Sequence, residues 1–251
     1  MSRRPYQQRD VALAVDEARS TACRPCEQGS VKQLSETIWL ADAPAASSLR
    51  WRLRTLATAA VRPLMVWKSQ RWIANGQEHR LHLGCGQTML PGWLNVDLVG
   101  RQPIDLALDL RKRLPFPDGL IDAVFHEHLI EHLTYHDAIQ VLSECARVLR
   151  PGGILRVTVP DFGRYLNSYV HGTDFIEAVR PGRFSRLIAL SEVVYCYGHL
   201  SVWDAETLSK VLEAFGLATQ QMSLGQSCLQ PCPDSASRAN ETLYVEAVKS
   251  L

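Results

Sequence analysis

Positions 126 to 132 read His126-Glu127-His128-Leu129-Ile130-Glu131-His132. Three imidazoles and two carboxylates in seven residues can move protons near neutral pH or hold a metal ion. His128 and His132 are four residues apart, as are Glu127 and Glu131, so each pair shares a face if the segment is helical. The zinc-protease order His-Glu-x-x-His is not present, because Ile130 stands where its second histidine belongs. No third, remote ligand is evident, and no metal is assigned. As catalytic acid–base candidates the segment offers His128 and His132, joined by Asp161 and by His199 of Tyr197-Gly198-His199. Each has a plainer reading beside that one. His132 could satisfy backbone groups at a helix start, and Asp161 could cap the segment that follows it.

A second set of unusual residues falls where short apolar runs end. Leu81-His82-Leu83 is followed by Gly84-Cys85-Gly86. Glycine lets a backbone approach a ligand closely and takes up φ angles that other residues avoid. A dinucleotide fingerprint would place its third glycine at position 89, which is Met89, so an NAD- or FAD-dependent oxidoreductase fails its own template. Asp97 closes the next run, and a carboxylate there can accept hydrogen bonds from two vicinal ribose hydroxyls. Asp109, followed by Leu110, closes a third, and an acid beside an apolar side chain suits an adenine ring. Alone, each aspartate could be a turn or loop residue. Three such signals in succession are harder to dismiss.

The elements that must position these residues are short strands alternating with helices. Strands are expected at Arg80 to Leu83, Trp93 to Val96, Ile104 to Leu108, Ile121 to Phe125, Ile154 to Val159, Ala218 to Leu224 and Thr242 to Val248. The fourth is continuously apolar, as a strand buried on both faces should be. Helices are expected at Tyr135 to Leu149 and Asp204 to Phe215, the latter with Asp204 as its N-cap. The alternation predicts an α/β fold with a doubly wound, mostly parallel seven-stranded sheet, Rossmann-like, plus a helical N-terminal extension. Ligands then bind beyond the carboxyl ends of the strands, where the glycines and aspartates lie.

Three regions are expected. Residues 1–47 form a polar leader, with short helical patterns near Asp10 to Arg19 and Val31 to Leu40. Residues 48–77 hold no acid and alternate arginines with Trp51, Leu53, Leu56, Leu64, Trp67 and Trp72. They read as a helical cap over the site, broken in two at Pro63, or as a peripheral contact with an anionic membrane surface. Residues 78–251 form the main domain, with a substrate-side insertion or lid at 161–200. That insertion carries Tyr165, Tyr169, Phe175, Phe184, Tyr195 and Tyr197 with Arg164, Arg180, Arg183 and Arg186. Such a lining suits a sugar, an acidic small molecule or an aromatic ring, and equally an ordinary packed lid.

The stretches Leu81-His82-Leu83-Gly84-Cys85-Gly86 and Pro91-Gly92-Trp93-Leu94-Asn95-Val96-Asp97 resemble the opening of class I methyltransferases that use S-adenosylmethionine (SAM). The likeness is greatest to a type 11-like subgroup reading LGCG…GWLNVD. Leu114-Pro115-Phe116-Pro117-Asp118, Glu131-His132-Leu133, Leu149-Arg150-Pro151-Gly152-Gly153 and Thr242-Leu243-Tyr244-Val245-Glu246 follow in the family's order. The resemblance covers roughly residues 80 to 251, with the insertion poorly matched. It implies SAM as cofactor and S-adenosylhomocysteine as product. It implies that Gly84 and Gly86 pass beside the methionyl part, that Asp97 binds the ribose, that Asp109 and Leu110 hold the adenine, and that His126 lies near the sulfonium. Cys85 and Leu98 belong to the same cofactor-binding set. One departure is visible: too few residues separate the glycine turn from the second strand for the usual full helix.

The implied reaction is methyl transfer, with O-methylation of a small molecule or glycan as the expected outcome. A non-catalytic SAM-binding or scaffold protein would share every cofactor residue. A formal charge of +1 gives no reason to expect a nucleic-acid partner. The reduced look of Cys85, Cys145 and Cys196, among seven cysteines, suits the cytoplasm. The pairs Cys23/Cys26 and Cys228/Cys232 could supply four thiolates to zinc, but are read as loop residues that do not meet.

Overall fold

The computed structural model describes residues 49–75, 78–100 and 103–250, all within the unit Leu40–Leu251. The polar leader, its two helical patterns and Cys23/Cys26 lie outside the described residues. Seven strands form one sheet: β1 (Arg80–Leu83), β2 (Leu94–Asp97), β3 (Leu106–Ala107), β4 (Ile121–Glu127), β5 (Leu149–Pro160), β6 (Leu217–Met222) and β7 (Thr242–Lys249). Their spatial order is β3-β2-β1-β4-β5-β7-β6. β1 to β5 run parallel, with Leu83 beside Val96 on one side and His126 on the other. β7 runs antiparallel to both β5 and β6. The expected α/β class and seven-stranded sheet are therefore present. The strand order reverses between β1 and β4, the position at which such sheets bind ligands.

Six helices accompany the sheet among the described residues: α1 (Leu49–Ile73), α2 (Tyr135–Val148), α3 (Phe162–His171), α4 (Phe175–Val179), α5 (Arg186–Tyr195) and α6 (Ala205–Ala214). Side chains alternate across the strands. Leu81, Leu83, Val124, Leu155, Val157 and Val245 share one apolar core with Val141 and Leu142 of α2 and Leu208 and Leu212 of α6. Asp204 caps α6 as expected, accepting from the Thr207 N–H at 2.8 Å. Thr134 caps α2 in the same way. Helices α3 to α5 replace the irregular insertion expected at 161–200 and pack around their own small core of Tyr165, Ile176, Ala189 and Val193.

The other sheet face is unusual. It carries Phe125 and Trp93 with Leu229, and also Arg156 and Glu246, both buried. Among the described residues irregular chain, not helix, covers it. The side chain of Arg156 pairs with Asp234 at 2.9 and 2.6 Å and reaches the carbonyls of Ser223 and Gln226. Glu246 accepts from Ser227 and Cys228. Cys228 and Cys232 belong to this covering segment as free thiols.

The helix missing between β1 and β2 fits the short spacing, and Asn95 compensates for it. Its amide exchanges hydrogen bonds with Leu90, donates to the Trp93 carbonyl and reaches Asp105 Oδ2 at 2.9 Å. These bonds pin residues 86–93 without a helical ladder.

One expected break does not occur. α1 continues through Pro63. Proline removes the N–H that would reach the Ala59 carbonyl, but Ala59 and Pro63 face solvent, where water can satisfy that carbonyl.

Candidate active site

Beyond the carboxyl ends of β1, β2 and β4 lies a cavity of about 580 Å³, within the size range of small-molecule sites. Gly84 opens it from β1, Asp97 and Leu98 from β2, and Leu108 to Arg111 from β3. His128, Leu129 and His132 close the β4 side, and Trp51 and Arg54 of α1 border it as well. Gly84 has φ +65°, and a Cβ there would meet Leu129 Cδ1 at 2.7 Å. Gly86 has φ +55° with open space around it. Both positions therefore require glycine for their backbone, and Gly84 also for room.

Asp97 is held in place by its own loop. Oδ2 accepts from Gly86 N at 2.9 Å and Oδ1 from Leu98 N at 2.6 Å. Arg54 stands 3.4 Å from Oδ1 and donates to the carbonyls of Val99 and Leu98. The Asp97 side chain keeps 18% of its surface exposed, on the cavity side. Asp109 is gripped by Arg111 through two bonds of 2.9 and 2.7 Å. Burial opposes its ionisation, yet the Arg111 bonds hold its carboxyl below the usual range. Arg111 in turn stacks 4.4 Å from the Trp51 ring.

The histidines gather on the β4 side. His128 has φ +49°, the one described non-glycine residue in the left-handed region. Such strain persists only where surroundings impose it. Here the His128 N–H reaches Thr158 O at 2.9 Å, and Nε2 lies 3.0 Å from Thr242 Oγ1. That hydroxyl gives its proton to Arg238 O, so Nε2 is the donor. Nδ1 then faces Glu131 Oε1 at 3.0 Å. Glu131 and His132 form a short 3₁₀ turn, Ile130–His132. The His199 ring meets the His132 ring edge-on, with centroids 4.9 Å apart. Burial holds His199 below the ordinary imidazole value, against the pull of Glu131.

A second cavity of about 230 Å³ adjoins the first, sharing His128 and Tyr197. His199, Arg180, Arg238 and Glu241 line it, and Arg180 pairs with Glu241 at 2.6 Å. The α3–α5 insertion thus supplies Arg180 and Val193 to a wall next to the histidines.

Of the residues singled out from sequence, Gly84, Asp97, Leu98, Asp109, Leu110, His128 and His132 line the larger cavity, and His128 and His199 the smaller. Cys85 and Gly86, in the same turn as Gly84, do not line the larger cavity; burial raises the Cys85 thiol to about 11. Two expectations need correction. His126 does not reach the cavity. β4 runs two residues further than its apolar stretch indicated, to Glu127, so the residue past the strand tip is His128. The His126 ring is wholly buried and unpartnered, and that burial pulls it down to about 4. Asp161 is the helix cap of its plainer reading. Its Oδ1 accepts from Arg164 N at 3.1 Å, and it faces a separate hollow beside Asp204.

Sequence reasoning missed Trp51, Arg54 and Arg111 as site residues. The signals were the acid-free run before residue 78 and the Asp109-x-Arg111 spacing.

The methyltransferase domain model matches residues 95–157. A probable S-adenosylmethionine-dependent methyltransferase of Mycolicibacterium smegmatis is 50% identical over 48 residues, which is 19% of this chain and 18% of that protein. One from Mycobacterium tuberculosis is 46% identical over 48 residues, 19% of this chain and 17% of its own length. The matched part thus spans less than a fifth of either relative. Among solved structures, a SAM-dependent methyltransferase from Archaeoglobus fulgidus aligns with a TM-score of 0.44 at 17% identity, covering 78% of this chain and 94% of that one. Residues 95–157 are thus similar to a methyltransferase domain, and the relatives that match there are named as S-adenosylmethionine-dependent methyltransferases.

Proposed function

We propose that the protein transfers a methyl group from SAM to an oxygen of a small molecule or glycan. The observation that carries this reading is the pair of joined cavities, one walled by Asp97 and Asp109, the other by arginines, with histidines between them. The residues fit the cofactor: Asp97 offers a carboxylate edge to ribose, and Leu98, Leu108 and Leu110 offer an apolar shelf to adenine. Bound SAM supplies a methyl group on a positively charged sulfur. The chain's part is to bind, orient and exclude water, because an in-line displacement gains most from a held acceptor. Arg180 and Arg238 suit an acceptor with negative or many-hydroxyl character. His128, His132 and His199 offer imidazoles for the proton that an acceptor hydroxyl must lose.

Incubation with methyl-labelled SAM and panels of sugars, hydroxy acids and phenols should place label in an ether linkage. SAM bound tightly with no label transferred to any panel, or label only on nitrogen, would replace this reading. The first result would favour a scaffold that only binds SAM.

We also propose that α1 is a cap with an outward membrane-contacting face. Inward, Arg54, Thr58, Met65 and Ser69 hold it to the domain. Outward, Leu49, Leu53 and Leu56 and, two turns further on, Leu64 and Trp67 are each at least half exposed, with Arg50, Arg52 and Lys68 beside them. No described helix is long and apolar enough to cross a membrane, so the contact is peripheral. The protein should float with phosphatidylserine-containing vesicles, and Leu53→Glu with Leu56→Glu should abolish this. Wild-type protein left at the bottom of the gradient would remove the proposal.

A further inference from the structure

Glu131 is a buried acid at the wall between the two cavities. Its side chain is 1% exposed, and neither carboxylate oxygen has a hydrogen-bond partner among the described residues. His128 Nδ1 is near enough for an ion pair but is not in hydrogen-bonding geometry. A buried carboxylate without donors is costly. Around it the structure places one donor atom each from Glu131, His132 and His199, all within 4.8 Å of one another. Ligand atoms about 2.0–2.2 Å from a common ion stand roughly 3.3 Å apart in a tetrahedral set. Binding would draw the two imidazoles together to close that gap.

We infer that Glu131, His132 and His199 bind one divalent transition-metal ion at the wall between the two cavities. Two imidazoles and one carboxylate form a donor set suited to zinc, iron, cobalt or manganese rather than to calcium or magnesium. The remote ligand that sequence spacing did not supply is His199. Backbone bonds bring it there without help from an ion: the Leu200 and Ser201 N–H groups both donate to the Glu131 carbonyl, at 2.7 and 3.2 Å, and Ser201 Oγ donates to Ile130 O at 3.1 Å. A site so braced is pre-organised. His128 Nδ1 borders the Glu131 carboxylate from the other side, 3.0 Å from Oε1. Three protein ligands leave positions open. Since His132 lines the larger cavity and His199 the smaller, acceptor oxygens could fill them. An ion there would take over from a free imidazole the task of making an acceptor oxygen nucleophilic. That use rests on the methyl-transfer reading, whereas binding of the ion does not.

The test therefore needs neither cofactor nor turnover. Full-length protein stripped with chelator is titrated with Co²⁺ and followed by its visible spectrum, with Zn²⁺ competition by calorimetry. The expected result is one equivalent bound, with a nitrogen- and oxygen-ligated spectrum. His199→Ala, at a half-exposed position, and Glu131→Gln should each weaken binding beyond the roughly 10–100-fold that loss of a supporting group costs. Circular dichroism of both variants shows whether each is folded, and His199→Ala decides the matter if the more buried Glu131→Gln is not. No uptake by wild-type protein overturns the inference, as does uptake unchanged in His199→Ala. A thiolate charge-transfer band also overturns it, since it would place the ion on cysteines.

Discussion

Asp97→Ala is expected to weaken SAM and S-adenosylhomocysteine binding by about 3 kcal/mol, roughly a hundredfold in Kd, since charged hydrogen bonds contribute about 1.5–3 kcal/mol each. The reason lies in how the carboxylate is already employed. Gly86 and Leu98 each give it an N–H, which fixes its plane and leaves lone pairs for the ribose contact proposed above. Asp97→Asn keeps one acceptor oxygen and turns the other into a donor that must face a loop N–H. It should fall between wild type and alanine. Alanine also frees the glycine turn, so the thermal melt of the ligand-free protein must be followed alongside. Arg54→Ala is the useful comparison: it removes a neighbour 3.4 Å away and the α1 tether to Val99, but no cofactor acceptor. Calorimetry on the three variants separates the roles. Binding by a folded Asp97→Ala within threefold of wild type would remove Asp97 from the site.

Much of this site was legible because a parallel sheet places strand ends together. Gly84, Asp97 and Asp109 each close an apolar run, and topology alone carries all three to one rim. What depended on strand length was less legible. The run from Ile121 to Phe125 ends in apolar residues, but pairing with β5 continues through His126 and Glu127, because ladder hydrogen bonds do not need apolar side chains. The difference of two residues exchanges a buried His126 for a cavity-lining His128. Contacts made by irregular chain were not legible at all. His199 meets Glu131 only because residues 200 and 201 donate to one carbonyl, and no periodicity encodes that. The same holds for Arg156. In sequence it interrupts an apolar strand, and only the fold shows Asp234, from a distant loop, closing over it.

Asp234→Ala should lower stability by about 3 kcal/mol, the low end of the 3–5 kcal/mol reported for breaking a buried pair. In a domain of about 200 residues that is a fall of roughly 6–12 °C in Tm. The Arg156 side chain has no solvent exposure and Asp234 only 1%. Removing the carboxylate strands a guanidinium under irregular chain, with two carbonyls and Glu246 at 3.6 Å as the remaining company. Glu246 is why the low end is chosen. The loss should concentrate in the covering segment, since Gly225 also donates to Asp234, so residues 223–235 should exchange their amide hydrogens faster. Replacing both partners, Arg156→Met with Asp234→Leu, should recover most of the stability, because the penalty belongs to the unpaired charge and not to the absent bond. Urea and thermal melts of the two variants check this. If Asp234→Ala melted within about 2 °C of wild type, the polar face would not depend on this pair, and another contact would have to hold the irregular chain to the sheet.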